Sequence, residues 1–97
     1  MPELGIQKPS GSYIGNGTTL TIEVGFKPNV VTITNWTKDG SEIVRKHKGM
    51  ENGTAVIDKN NKGKILQGAV TLTDTGFIVG ESQYVNKSGN TYLWEVI

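Results

Sequence analysis

At 97 residues, with 35% apolar side chains and no cysteine, the chain has room for one domain with a thin core. Neither disulfides nor thiolate metal sites can reinforce it, so oligomerisation is the remedy open to so small a domain. Ten Lys and Arg against nine Asp and Glu give a net charge of +1, and no global field draws the chain to nucleic acid or a membrane surface. No apolar run approaches the roughly 18 residues of a spanning helix. The opening Met1-Pro2-Glu3-Leu4 lacks the positive and apolar regions of a signal peptide. The expectation is a chain made in the cytoplasm without Sec-type export.

Thr, Val and Ile supply 11, 9 and 9 residues and Ala only two. β-Branched side chains lose rotamer freedom in a helix and pack well on a pleated surface, so this is strand composition. Thirteen glycines and eight asparagines provide turns. Residues 1–10, with Pro2 and Pro9 around Gly5, read as an extended N-terminal arm outside the sheets. Strand signals then follow in order. Residues 19–24 alternate strictly, with Leu20, Ile22 and Val24 on one face. Residues 30–36 follow Pro28, which belongs at a strand start or edge. Residues 42–48 are polar and read as an exposed strand. Shorter runs lie at 54–58, 65–72 and 76–80, and residues 91–97 close the chain. Gly, Asn or Asp separates the runs at the short spacing of antiparallel β proteins. The chain therefore reads as all-β: an arm over 1–10 and a single antiparallel β-sandwich over 11–97.

The search for chemistry yields no catalytic residue and no metal or cofactor site. His47 is the single histidine, so a two-histidine metal site is impossible. It sits inside Arg45-Lys46-His47-Lys48, with no acid partner close in sequence to complete a triad. The carboxylates are scattered singly, unlike the pair a glycosidase needs. Asp58-Lys59-Asn60-Asn61-Lys62-Gly63 starts like a calcium loop. Lys62 stands at the fifth ligand position, however, and Ala69 where a bidentate Glu belongs. A hairpin turn explains the segment better. Gly15-Asn16-Gly17 is too short for a phosphate loop and is a turn. The sequons at Asn16, Asn35, Asn52 and Asn86 follow from strand-and-turn composition, and glycosylation is not expected.

Two basic clusters remain, Arg45 to Lys48 and Lys59 to Lys64. Lysines on exposed strands blunt sheet edges against aggregation. The competing reading makes Arg45, Lys46, His47 and Lys48 a contact for an anionic surface or a glycan. Without interleaved aromatics the clusters do not suit nucleic acid. Trp36 falls opposite Val31 and Ile33 in the alternation. Core, subunit interface and sugar-stacking platform are its three readings, and its large burial value favours the first two.

Three stretches carry a resemblance. Gly11-Ser12-Tyr13-Ile14-Gly15-Asn16-Gly17-Thr18 leads into an alternating strand. Val24-Gly25-Phe26-Lys27-Pro28-Asn29-Val30-Val31-Thr32-Ile33 has the form G-F-x-P-x-V-V-x-I. Gly76-Phe77-Ile78-Val79 precedes Val85-Asn86-Lys87-Ser88-Gly89-Asn90-Thr91-Tyr92-Leu93-Trp94. In this order they resemble a small β-domain of tail-fibre and other virion proteins of tailed bacteriophages, distantly similar to H-type lectins. The resemblance spans residues 11–97. It departs at Glu95, where the pattern has a small residue, and residues 37–66 match nothing in particular.

The resemblance implies a non-enzymatic virion component, such as a capsid decoration, head-fibre or tail-tip protein. It would assemble as a trimer on other capsid or tail proteins. The alternative it implies is a carbohydrate-binding adhesion module for host-surface glycans. The large side chains expected at the subunit interface are Trp36, Ile78, Tyr84 and Leu93.

Overall fold

The computed structural model describes residues 9–38, 42–59 and 62–97. The chain is nearly all β, two antiparallel sheets packed as a sandwich. In chain order the strands are β1 (Ser10–Ile14), β2 (Leu20–Glu23), β3 (Val30–Asn35), β4 (Ile43–His47), β5 (Ala55–Lys59), β6 (Lys62–Leu66), β7 (Val70–Leu72), β8 (Gly76–Val79) and β9 (Thr91–Val96). A 3₁₀ turn, Trp36–Lys38, follows β3, and a one-turn helix, α1 (Gln83–Asn86), precedes β9. The large sheet has the order β1-β9-β3-β4-β5-β6, and the small one β2-β8-β7.

Period-2 alternation builds the interior, since each strand sends every second side chain inward. Strand β9 contributes Tyr92, Trp94 and Val96, β3 contributes Val31 and Ile33, and Val44 and Ile57 come from β4 and β5. Phe77 and Val79 of the small sheet and Val85 of α1 meet them in one cluster. Phe77 packs edge-on to the Trp94 indole, with ring centroids 5.5 Å apart. Phe26 packs against the edge of this cluster, and buried Pro28 precedes β3 as its fixed φ favours.

Three expectations are corrected, and one element is new. Residues 1–8 of the arm lie outside the described residues, but its end already belongs to the sheet. Ser10 begins β1, and the Pro9 carbonyl accepts a 2.9 Å bond from Val96 N. The run at 65–72 is two strands in different sheets, β6 and β7, because Gly68 adopts φ 62° and redirects the chain. Residues 42–48 do not form an exposed strand: β4 lies between β3 and β5 and alternates buried with exposed positions. Helix α1 carries no sequence signal, since four residues are too few to show a helical period.

The connection from β8 back to β9 must cross from the small sheet into the middle of the large one, and polar anchors hold it there. Ser82 caps α1 through Oγ, which accepts from Tyr84 N. Asn86 is buried, and its side chain makes three bonds to two other segments. Its Oδ1 accepts from Asn16 N at 2.8 Å, and its Nδ2 donates to the carbonyls of Thr18 and Gly80. Tyr13 and Tyr92 stack with centroids 5.1 Å apart. Tyr13 donates to Val85 O at 2.6 Å. The Tyr92 hydroxyl accepts from Lys87 N at 2.9 Å and donates to Gln83 O at 3.3 Å. A Cβ at Gly15 would collide with the Lys87 carbonyl, so only glycine lets the β1–β2 loop close on the helix end.

Replacing Asn86 by Ala removes all three bonds of a buried side chain and leaves partly buried backbone partners without it. A buried unsatisfied group costs about 1–3 kcal/mol. We therefore expect Asn86→Ala to lower unfolding free energy by at least about 2 kcal/mol in urea titrations. Burial also holds both phenols neutral. Desolvation, then the neighbouring Tyr92, raises the Tyr13 pKa well above its ordinary value, and desolvation raises that of Tyr92. A raised pKa gives stability that is complete below the unfolded value of about 10 and lost as pH rises beyond it. Lys46, lowered by burial, contributes with the opposite sign, its share growing as pH rises toward about 10.4. Urea titrations at pH 7 and pH 11 should show a smaller alkaline loss for Tyr13→Phe than for the wild type.

Candidate functional site: the outer face of the large sheet

The alternation that buries one face of the large sheet leaves the other in solvent. On β9 the outward positions are Thr91, Leu93 and Glu95. Strand register places Ser12, Leu93, Thr34, Ile43 and Asp58 in one row across β1, β9, β3, β4 and β5. The next row holds Ser10, Glu95, Thr32, Arg45, Val56 and Ile65. Ile14 and Thr91 pair at one end, and Val30 and His47 at the other.

The exposed large apolar side chains among the described residues are Ile14, Trp36, Ile65, Leu93 and Ile97. All five lie on, or directly beyond, strands of this sheet. Ile14, Ile65 and Leu93 occupy outward strand positions. Trp36, 60% exposed, directly follows β3 in the 3₁₀ turn, beside a 2.8 Å bond from Thr91 N to Thr37 Oγ1. Ile97 continues β9 through its bond to Val30 O. Single apolar residues are ordinary on a surface, and these five fall on the outer side of one sheet.

Two shallow grooves flank β1. One, of about 490 Å³, crosses the outer face between Ser10–Ser12, Thr32, Thr34 and Leu93–Glu95. The other, of about 650 Å³, runs between β1 and β2, past Thr21–Glu23. Both reach the rim of Trp94 because β1 carries Gly11 there. A Cβ at that position would lie 2.6 Å from the indole, so the ring fills the space a side chain would take.

The four expected interface residues separate. Trp36 and Leu93 belong to the outer face of the large sheet. Ile78 sits half-buried on β8 of the small sheet, between Thr21 and Thr71. Tyr84 lies on α1, half-buried and packed against the core. The structure does not join these four into one surface. Ile14, Ile65 and Ile97 are the residues the sequence reading missed, whereas Glu95 is already marked there as a departure at the last strand. The signal for the three isoleucines was the alternation itself, since each neighbours a residue of opposite burial.

The basic run also divides. Arg45 and His47 face outward from β4, and Arg45 lies 3.9 Å from the Asp58 carboxylate, both about half exposed. Lys48 is exposed just past the strand, its N–H held by Asn29 O at 2.8 Å. Lys46 is corrected: it is 1% exposed and points into the sandwich, so it cannot join Arg45 and His47 on a surface. Its ammonium donates to the carbonyls of Met50 (3.2 Å) and Glu51 and approaches Thr54 Oγ1 at 3.5 Å. These bonds close the turn between β4 and β5, and the buried stem adds to packing.

Edge protection applies to β6 of the second cluster, an outermost strand, and not to β4, which has neighbours on both sides. The segment read as a hairpin pairs Lys59 with Lys62 across residues 60–61, which lie outside the described residues. Two of the four sequons, at Asn35 and Asn86, are buried. Among the described residues, no three His, Asp or Glu side chains gather in a metal-binding group. No helix there is long and apolar enough to cross a membrane. Comparison with protein-family models, with curated proteins and with solved structures finds no match.

The two neighbouring lysines should respond differently to loss of charge. Lys46→Met takes the ammonium from the Met50 carbonyl, while the Glu51 carbonyl keeps Thr54 N and Oγ1 as donors, and should cost about 1–3 kcal/mol. Lys48→Met, at an exposed position, should stay within about 0.5 kcal/mol of wild type. Thermal and urea melts of the two variants check both values.

Proposed function

We propose that this chain is a non-enzymatic structural subunit that self-associates and attaches to a larger assembly. The observation that carries the reading is the placement, among the described residues, of all five exposed large apolar side chains on or directly beyond strands of the large sheet, with the opposite face committed to the core. A thin-cored domain without covalent staples gains from covering such a face. Each large apolar side chain that becomes fully buried contributes about 1.5–3 kcal/mol. The resemblance of residues 11–97 to small β-domains of tailed-phage virions supports a particle as the assembly, with a capsid decoration, head-fibre or tail-tip role.

Purified protein added to virions lacking it should co-sediment with them. Leu93→Glu, which sets a carboxylate in the middle of the outer face, should reduce the bound fraction several-fold. Absence of wild-type binding would overturn the reading.

A second reading, recognition of a host-surface glycan, is favoured by one feature, the exposed indole of Trp36 beside the hydroxyl-bearing Thr37. An open aromatic face with hydrogen-bonding groups at its margin suits the apolar face of a sugar ring. On a glycan array the wild type should then give signals that Trp36→Ala abolishes and Arg45→Ala weakens. No signal on any glycan would leave the structural role alone.

A further inference from the structure

We propose that two copies pack their large sheets face to face about a two-fold axis that lies midway between the sheets, parallel to β3 and over Thr32, joined by reciprocal Glu95–Arg45 ion pairs. This rests on the self-association proposed above and names its partner, a second copy in two-fold relation.

The pattern of the outer face leads there. Thr32 pairs with Glu95 of β9 on one side and Arg45 of β4 on the other. Both charged residues point outward and are exposed. They stand two strand spacings apart, about 9.6 Å, with the Thr32 side chain between them. Opposite charges therefore flank a central strand at equal distances.

A two-fold axis parallel to that strand exchanges left with right while keeping position along the strand. The second copy's Arg45 then lies over Glu95, and its Glu95 over Arg45. In the adjoining row the same operation sets Leu93 over the second copy's Ile43, and Ser12 over its Asp58. Apolar meets apolar, and a hydroxyl donor meets a carboxylate.

The other in-plane axis over Thr32, perpendicular to the strands, brings Glu95 onto Glu95 and Arg45 onto Arg45. Like charges in apposition make that arrangement unfavourable. Packed sheets lie about 10 Å apart, a gap that Glu and Arg side chains together can span. The usual inclination of about 30° between aligned sheets tilts each β3 by half that from the axis and preserves the order of pairs. Isologous contacts of this kind close on themselves and give a discrete dimer. The trimer implied by the resemblance would need a different surface.

Five strands of five residues cover roughly 24 by 17 Å, the low end of specific interfaces. Association is therefore expected in the micromolar range. Sedimentation equilibrium across that range should show a species of about 21 kDa, twice the 10.5 kDa chain.

The decisive experiment exchanges charges. Glu95→Arg alone sets two like pairs across the axis, as does Arg45→Glu alone, and each should weaken self-association at least tenfold. An equimolar mixture of the two variants should form a heterodimer, because every pair across the axis is then complementary. Circular dichroism melts check that each variant is folded. Leu93→Glu, also expected to dissociate the pair, replaces any variant that is not.

A wild type that remains 10.5 kDa, one that trimerises, or swaps that leave association unchanged each overturn the pairing. A monomer that still binds particles overturns the two-fold contact and leaves the attachment reading standing. A dimer that binds no particle does the reverse.

Discussion

The last strand of the chain occupies a position that the strand before it cannot reach by a short turn. Strand β8 ends in the small sheet, and β9 must insert between β1 and β3 of the large one. The connection carries backbone polar groups across the end of the sandwich, where they need partners. Asn86 fastens the connection with one side chain, reaching the β1–β2 loop through Asn16 and Thr18 and the end of β8 through Gly80. The stacked tyrosines hold the same connection from below. Tyr13 comes from β1 and Tyr92 from β9, so the strands flanking the joint also anchor it. With β9 seated, its alternation settles both the core and the outer face.

The consequences divide cleanly by parity. Tyr92, Trp94 and Val96 close the interior, while Leu93 and Glu95 define the surface a partner would meet. Strand β3 repeats the division with Val31 and Ile33 against Thr32 and Thr34. A domain that invests nearly every inward position in packing has little freedom there to change. Its outward positions carry no such load, and functional variation can accumulate on them. Core and outer surface are thus separate choices written on the same strands.

The fold class was legible because β-branched composition and period-2 patterns report directly on pleated geometry. Strand positions followed for the same reason, most clearly at Leu20–Glu23 and Thr91–Val96. The two-sheet split near Gly68 was not legible, since glycine at positive φ marks a change of direction without saying to which sheet the chain goes. The basic run at 45–48 shows a different limit. Adjacent charges suggest a patch, whereas a strand sends neighbours to opposite faces. Val44 faces inward, so Lys46 does too, and a lysine there is tolerable only because the Met50 and Glu51 carbonyls receive its ammonium. Those acceptors arise from a turn whose shape the sequence does not reveal. Asn86 read as a sequon for a similar reason: its three partners lie 6, 68 and 70 positions away.

The two tryptophans occupy opposite environments, and this makes the chain its own optical instrument. Trp94 is enclosed, with Phe77 in a T-shaped contact and the bare backbone of Gly11 beside it, while Trp36 is largely exposed at the end of β3. The protein has no other indole. Fluorescence from the sheltered ring is blue-shifted and protected from aqueous quenchers, and that from the open ring is red-shifted and accessible to them. Unfolding changes chiefly the first signal, and coverage of the outer face chiefly the second. Folding and the proposed association can thus be followed separately in the unlabelled protein.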